Sequence, residues 1–333
     1  MYKIAPVTRR RCVFVWAAII LLAAGGCGPR ETGGGATRRL SIATGGTGGV
    51  YYPYGGGIAQ VLSANLPGVE ATAEVTAASV DNLKFLRQGT SDIAFTMADT
   101  AQDGVAGRDM FQEFGPVPAR ALAVLYPNYT HLATRADSGI ARVADLRGKV
   151  VSIGAPGAGT AVLAERILLA AGLDPRKDIR QQNLGVAQSV DALKDGKIDA
   201  FFWSGGLPTA AILDLVNTPG LTARLVPLDD MLPALQRVYG PSLYYQTIIP
   251  KAIYRLPEDV PVIAVANLLV VSESMPEPLA HDITRILFEQ QPVLAGIHPQ
   301  ARELAVEHAL TGASIPFHPG AIRYYQERGV WKE

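Results

Sequence analysis

Two glycine-rich loops hold the residues with the clearest capacity for chemistry. The first, ATGGTGGVYYPYGGG at 43–57, contains seven glycines and three tyrosines. Glycine is costly to order, so a loop this rich in it belongs where the backbone itself must approach something closely. The second is GAPGAGT at 154–160. A dinucleotide fingerprint needs G-x-G-x-x-G, and counting from Gly46 and Gly48 places Tyr51 at the third glycine. A phenol there blocks the close helix–strand packing that the third glycine permits. The second loop has Walker A spacing from Gly154 to Gly159 and then Thr160, but no lysine. Without that cation, nucleotide hydrolysis is poorly supported. Both loops keep one property: a glycine loop opening a helix presents free N–H groups at the positive end of the helix dipole, which favours a small anion. Turn glycines with purely structural roles are the alternative.

The usual catalytic constellations are missing. His131, His281, His298, His308 and His318 lie far apart, with no H-E-x-x-H or zinc spacing. FWSGG around Ser204 is not a G-x-S-x-G elbow. The only cysteines are Cys12 and Cys27, so the body of the chain has no thiolate site or disulfide. No acid–base pair stands out among the carboxylates. The pattern points to binding, not catalysis, with no cofactor and no metal.

The chain has 333 residues, 48% of them hydrophobic, and 30 basic against 30 acidic residues. No basic block lies beyond the first dozen residues, which argues against nucleic acid as a partner. Residues 1–26 read as a signal peptide: Lys3, Arg9, Arg10 and Arg11 precede the apolar run VFVWAAIILLAA, too short to span a bilayer. An N-terminal anchor helix is the alternative. LAAGGC, ending at Cys27, resembles a bacterial lipobox with atypical Ala24 and Gly25. That implies lipidation of Cys27 and a periplasmic, membrane-attached protein, against ordinary cleavage nearby. Removing the leader leaves 26 basic and 30 acidic residues, a net charge of −4. Residues 27–37 read as a flexible tether.

Elements that position the loops follow from the patterning. RLSIAT, VEATAEVT and DIAFTM read as strands; YGGGIAQVLSANL and SVDNLKFLRQG read as helices between them. The order then recurs: GKVVSIG as a strand, the second glycine loop, AVLAERILLAAG as a helix, and SVDALKDGKIDAFFW beside SVDNLKFLRQGTSDIAFTM. Two α/β lobes of similar construction are expected, against chance similarity of amphipathic units. Ser79 and Ser189 are candidate N-caps. VPVIAVANLLVV is a further strand, and PEPLAHDITRILFEQQPVLAGI, PQARELAVEHAL and GAIRYYQERG read as a helical tail.

ATGGTGGVYYPYGG, SVDNLKFLRQGTSDIAFTMAD, DLRGKVVSIGAPGAGT, GKIDAFF, GGLP and FHPGAIRYYQERG occur in the order seen in TAXI-type receptors of TRAP (tripartite ATP-independent periplasmic) transporters. The chain resembles this family over residues 38 to 330. The resemblance implies a type II periplasmic-binding fold: two α/β lobes with a hinge and a central ligand cleft. It implies lobe 1 at 38–134 plus 266–333 and lobe 2 at 135–265. It further implies an organic anion or amino acid of the glutamate, glutamine or 2-oxoglutarate class as ligand, and TRAP membrane subunits, separate or fused, as partners. The family's second loop often reads G-S-G-T; here it is Gly157-Ala158-Gly159-Thr160, without the serine hydroxyl. Candidate ligand-binding residues are Gly46, Thr47, Gly48, Gly49, Tyr51 and Tyr52 in the first loop, then Ser79 and Asn82. The Gly48 and Gly49 N–H groups are expected to face a carboxylate. Gly157, Ala158, Gly159 and Thr160 join them from the second lobe, with Trp203 closing over apolar ligand atoms or packing in the core. Asp99 either binds a ligand ammonium or caps a helix. A sensing receptor for a signalling partner, and an enzyme on the same fold, are the competing functions.

Overall fold

A computed structural model describes residues 37–331; the leader and Cys27 lie outside them. The first half builds β1 (Arg38–Ala43), α1 (Tyr51–Asn65), β2 (Val69–Glu74), α2 (Ser79–Gln88) and β3 (Ile93–Met97). After α3 (Ala98–Ala106) and the long β4 (Ala119–Arg135), the same order returns. It runs β5 (Val150–Ser152), α4 (Gly159–Ala170), β6 (Arg180–Gln182), α5 (Val186–Lys194) and β7 (Ala200–Gly205). The expected recurrence is therefore a structural one. Then come α6 (Ala210–Val216), β8 (Ala223–Leu225), α7 (Leu232–Tyr239), β9 (Tyr244–Ile249), α8 (Lys251–Tyr254) and β10 (Val260–Ser272). The tail is α9 (Glu277–Glu289), α10 (Gln291–Ile297) and α11 (Pro319–Glu327).

Sheet order runs β2-β1-β3-β10-β4-β7-β5-β6. Each end is a parallel trio, β2-β1-β3 and β6-β5-β7, and each trio is closed by a long antiparallel strand: β10 against β3, β4 against β7. These two long strands pair with each other through Val265↔Asn128 and Asn267↔Tyr126. They are the only pairing between the two trios among the described residues, so the molecule is two α/β lobes joined across a strand crossing. β3 is buried along its length, as expected of a parallel strand covered on both faces, whereas the edge strand β2 alternates half-buried and exposed residues.

Three apolar clusters fill the layers. Tyr54, Ile58 and Leu62 of α1 pack with Ile283 and Leu287 of α9 and Tyr325 of α11 on one face of the first lobe. Val80 and Leu83 of α2 share a second cluster with Leu163 and Ile167 of α4, spanning both lobes. Val190 of α5 and Ile212 of α6 cover the outer face of the second lobe. The HPGAIRYY segment is structural: His318 accepts the Gly320 N–H at 3.1 Å, capping α11, and the Tyr325 hydroxyl donates to Leu122 O at 2.8 Å.

Three local expectations need correction. Ser79 does not cap α2; it is the first helical residue, and its Oγ accepts the Met97 N–H at 3.1 Å. Ser189 lies inside α5, which starts after Gly185, and its Oγ meets Ser152 Oγ at 2.9 Å. Both serines tie a helix to a strand instead. PQARELAVEHAL forms a short 3-10 turn at Pro299–Glu303 and then irregular turns. Its apolar side chains serve buried contacts of Ala301, Leu304 and Ala309, not a continuous helical stripe.

Candidate functional site

A cavity of about 330 Å³ lies between the two glycine loops, where the carboxyl ends of β1, β3, β5 and β7 meet. Its walls come from 45–51, 75–79, 184–188 and 202–205, with Gly154, Ala155 and 158–160. Four helices begin at this wall: α1 at Tyr51, α2 at Ser79, α4 at Gly159 and α5 at Val186. None of the four has a side-chain oxygen bonded over its first turn from the N-cap position, apart from the Gly185 N–H, which Gln188 Oε1 accepts at 3.2 Å. Each N-terminus carries roughly half a positive charge. Among the described residues, no Asp, Glu, Lys, Arg or His lines the cavity. Its polarity is made from helix ends, hydroxyls and one amide.

The first loop and its neighbours meet with little room. Gly49 donates its N–H to Gly46 O at 3.1 Å, so that N–H is spent on the turn and does not face the cavity as expected. What Gly49 supplies is space: a Cβ there would lie 2.8 Å from Trp203 Cη2. Gly48 O accepts the Ala211 N–H at 3.3 Å, a direct bond between the lobes. Trp203 is fixed in turn, its Nε1–H donating to Thr209 Oγ1 at 2.9 Å.

The second loop closes on α2. Gly157 has φ +82°, a conformation that suits glycine, and its carbonyl accepts the Val80 and Asp81 N–H groups at 3.0 and 3.2 Å. A carbonyl from one lobe thus caps a helix of the other. Gly159 allows Ser79 and Met97 to approach; a Cβ would stand 2.9 Å from Ser79 Oγ and 2.7 Å from Met97 Sδ. Ala78, just before α2, holds φ 100° without being glycine, a strained backbone of the kind that gathers at functional sites. Thr160 Oγ1 accepts the Ser204 N–H at 3.2 Å, and Ser79 Oγ accepts that of Met97. Each hydroxyl therefore keeps its own proton for donation.

Of the residues singled out from sequence, Gly46, Thr47, Gly48, Gly49, Tyr51, Ser79, Ala158, Gly159, Thr160 and Trp203 come together at this cavity. Burial pushes the Tyr51 hydroxyl well above the usual phenol range; its ring stacks on Phe95 at 5.0 Å. Four residues stand elsewhere. Tyr52 points outward and is 36% exposed. Gly157 is behind the wall, beside Asp81. Asn82 is consumed internally: its Nδ2 donates to Thr44 O at 2.6 Å and Phe95 O at 2.8 Å, and its Oδ1 accepts from Thr76 Oγ1 at 2.6 Å. Asp99 is fully buried, accepting from Tyr244 OH at 2.8 Å and lying 3.6 Å from Arg166. It faces a cation of the protein, not the cavity. Thr76, Gln188 and Ser204 line the wall but were not expected. The internal repeat is the signal that could have found the segments carrying Thr76 and Gln188, since the turns after β2 and β6 are equivalent.

Among the described residues, no cluster of His, Cys, Asp and Glu is placed to hold a metal, and no helix is long and apolar enough to cross a membrane. In structure the chain is similar to a protein of Bordetella bronchiseptica RB50, with 19% identity, 86% of this chain and 88% of that one covered, and a TM-score of 0.50. It also matches the periplasmic aliphatic sulphonate binding protein SsuA of Escherichia coli (18% identity, 87% and 82% covered, TM-score 0.49). The alkanesulfonate-binding protein SsuA of Xanthomonas axonopodis pv. citri, bound to MOPS, matches at 16% identity, with 88% and 92% covered and a TM-score of 0.49. The NMT1-like family model matches residues 42–329, nearly the whole described chain, and the protein belongs to that family.

Proposed function

We propose that this protein is an extracytoplasmic solute receptor. It captures a small organic anion or amino acid of the glutamate, glutamine or 2-oxoglutarate class between its lobes and delivers it to TRAP-type membrane subunits. One observation carries the receptor function: four helix N-termini converge on a cavity that, among the described residues, no charged side chain lines, and of the four only α2 has its first N–H groups capped by a carbonyl of the other lobe. Such a wall stabilises an anion through N–H groups and hydroxyls, because hydrogen bonds to a charged acceptor are about twice as strong as neutral ones. The volume, about 330 Å³, sits at the small end of the roughly 300–1,000 Å³ range of small-molecule sites. The order of sequence motifs supports the TRAP partnership and the ligand class. The lobe division at 38–134 plus 266–333 and 135–265, with a hinge in the crossing strands, is part of the same proposal. So is a periplasmic location with a lipid anchor at Cys27.

The test is a panel of amino acids and dicarboxylates with the purified receptor. A ligand at about 100 times its Kd raises stability by about 2.7 kcal/mol, which a melting curve resolves. Scattering should show a more compact molecule with that ligand, and no product should form. A bound compound that leaves the dimensions unchanged, or that is turned over, refutes the receptor function.

A further inference from the structure

The polar groups of the cavity wall are mostly hydrogen-bond donors. At three of its helix starts, the N–H groups of Tyr51 on α1, Gly159 and Thr160 on α4, and Val186 and Ala187 on α5 meet no acceptor among the described residues. Side chains on the same wall add to them. Thr160 Oγ1 accepts the Ser204 N–H and so has its own proton left to give. Gln188 spends its Oε1 on the Gly185 N–H at 3.2 Å, which leaves the two N–H donors of its amide. The Ser204 hydroxyl is buried and has no partner among the described residues.

Acceptors on this wall are already engaged. The carbonyls of Gly46, Gly48, Ala155 and Gly185 take the N–H groups of Gly49, Ala211, Ala158 and Ser189. Thr76 Oγ1 accepts the Ala78 N–H and donates to Asn82 Oδ1. Among the described residues no carboxylate lines the cavity. Asp99 is fully buried against Tyr244 and Arg166, and Asp81 stands behind Gly157. An ammonium carries three donors, no acceptor and a positive charge. Here it would meet other donors and helix ends that each carry roughly half a positive charge. A charge taken out of water without a partner is costly. A carboxylate or keto oxygen only accepts, and the free donors of the wall answer it.

We propose that the cavity rejects an ammonium group: its ligand is an organic anion whose other polar atoms accept hydrogen bonds, an oxo acid and not an amino acid. This rests on the receptor function proposed above and narrows its ligand class to the member without an amino group.

Calorimetry with 2-oxoglutarate, L-glutamate and L-glutamine tests it, since the first two differ only at C2. 2-Oxoglutarate should bind at least about tenfold more tightly than either amino acid, the worth of one unanswered hydrogen bond at about 1.4 kcal/mol per decade. Thr160→Asp then puts a carboxylate on the wall. Aspartate suits a helix start and keeps an acceptor for the Ser204 N–H. Compared with the neutral Thr160→Asn, it should shift the preference toward glutamate by at least about tenfold. Glutamate or glutamine binding to the wild type as tightly as 2-oxoglutarate overturns the inference, while the receptor function stands. A preference that is the same in the two folded variants overturns it too. If none of the three compounds binds, the proposed ligand class fails and the inference falls with it.

Discussion

Gly49→Ala adds one methyl group where the first glycine loop meets the second lobe. Its Cβ would lie 2.8 Å from Trp203 Cη2 and 3.2 Å from Cζ2, whereas carbon atoms in good contact sit about 3.5–4.0 Å apart. The indole has little freedom to yield, because its Nε1–H is bound to Thr209 and its ring covers Gly205. Loop and ring must therefore separate by something under about 1 Å. Overpacking of this kind costs about 1–3 kcal/mol, or roughly 5- to 150-fold in affinity if binding requires the two lobes to meet here. Gly49 is not in a left-handed conformation, so alanine suits its backbone. The Gly49–Gly46 turn survives the change, and open lobes relieve the clash. Stability of the ligand-free protein should then change by no more than about 0.5 kcal/mol. The assay is calorimetry on wild type, Gly49→Ala, Trp203→Leu and the double variant. A coupling energy of about 1 kcal/mol or more between the two sites is expected, because removing the ring removes the clash. Wild-type affinity in Gly49→Ala, or an equal loss in the Trp203→Leu background, would refute closure at this contact.

Three other outcomes follow from buried charge and from the leader. Burial between β4 and β7, against the Tyr254 ring, holds His131 near a pKa of about 4, below its usual 6.5. A depressed folded pKa means full stability above about 6.5 and progressive loss as pH falls toward 4. That amounts to ~3 kcal/mol by denaturant unfolding, and His131→Phe should flatten the slope. Arg166 of α4 is 4% exposed and joins the lobes through Asp103, Asp109 at 2.8 Å, Asp99 and Tyr244, under the Tyr239 ring. Arg166→Met leaves buried carboxylates without their cation and should cost about 3–5 kcal/mol in urea unfolding; a loss below about 1 kcal/mol would mean that water reaches them. Cys27→Ala should release the protein into the soluble periplasm, and wild-type protein found there with an unmodified N-terminus at another residue defeats lipid anchoring.

Local patterning alone determined a good part of this protein. Apolar periodicity and glycine punctuation located β1 to β3, β5, β7 and β10 and the helices α1, α2, α4 and α5, because those signals report on neighbours one to four residues away. The recurrence of strand, glycine loop, helix, strand, helix and strand was legible for the same reason. So was the expectation of an anion at two helix starts, since a helix dipole belongs to the helix itself. Tertiary structure alone decided which polar side chains were free. Asp99 looked available until α4 brought Arg166 against it, and Asn82 until β1 and β3 converged on its amide. The register of β4 on β10 brought Asn128 and Asn267 to the strand crossing, though Asn267 sits in an apolar stretch of sequence. Gly49 read as a donor to ligand and turned out to be a clearance for Trp203. Each of these depends on sheet order, which pairs strands far apart in the chain, and no short-range pattern encodes the partner of a buried hydrogen-bonding group.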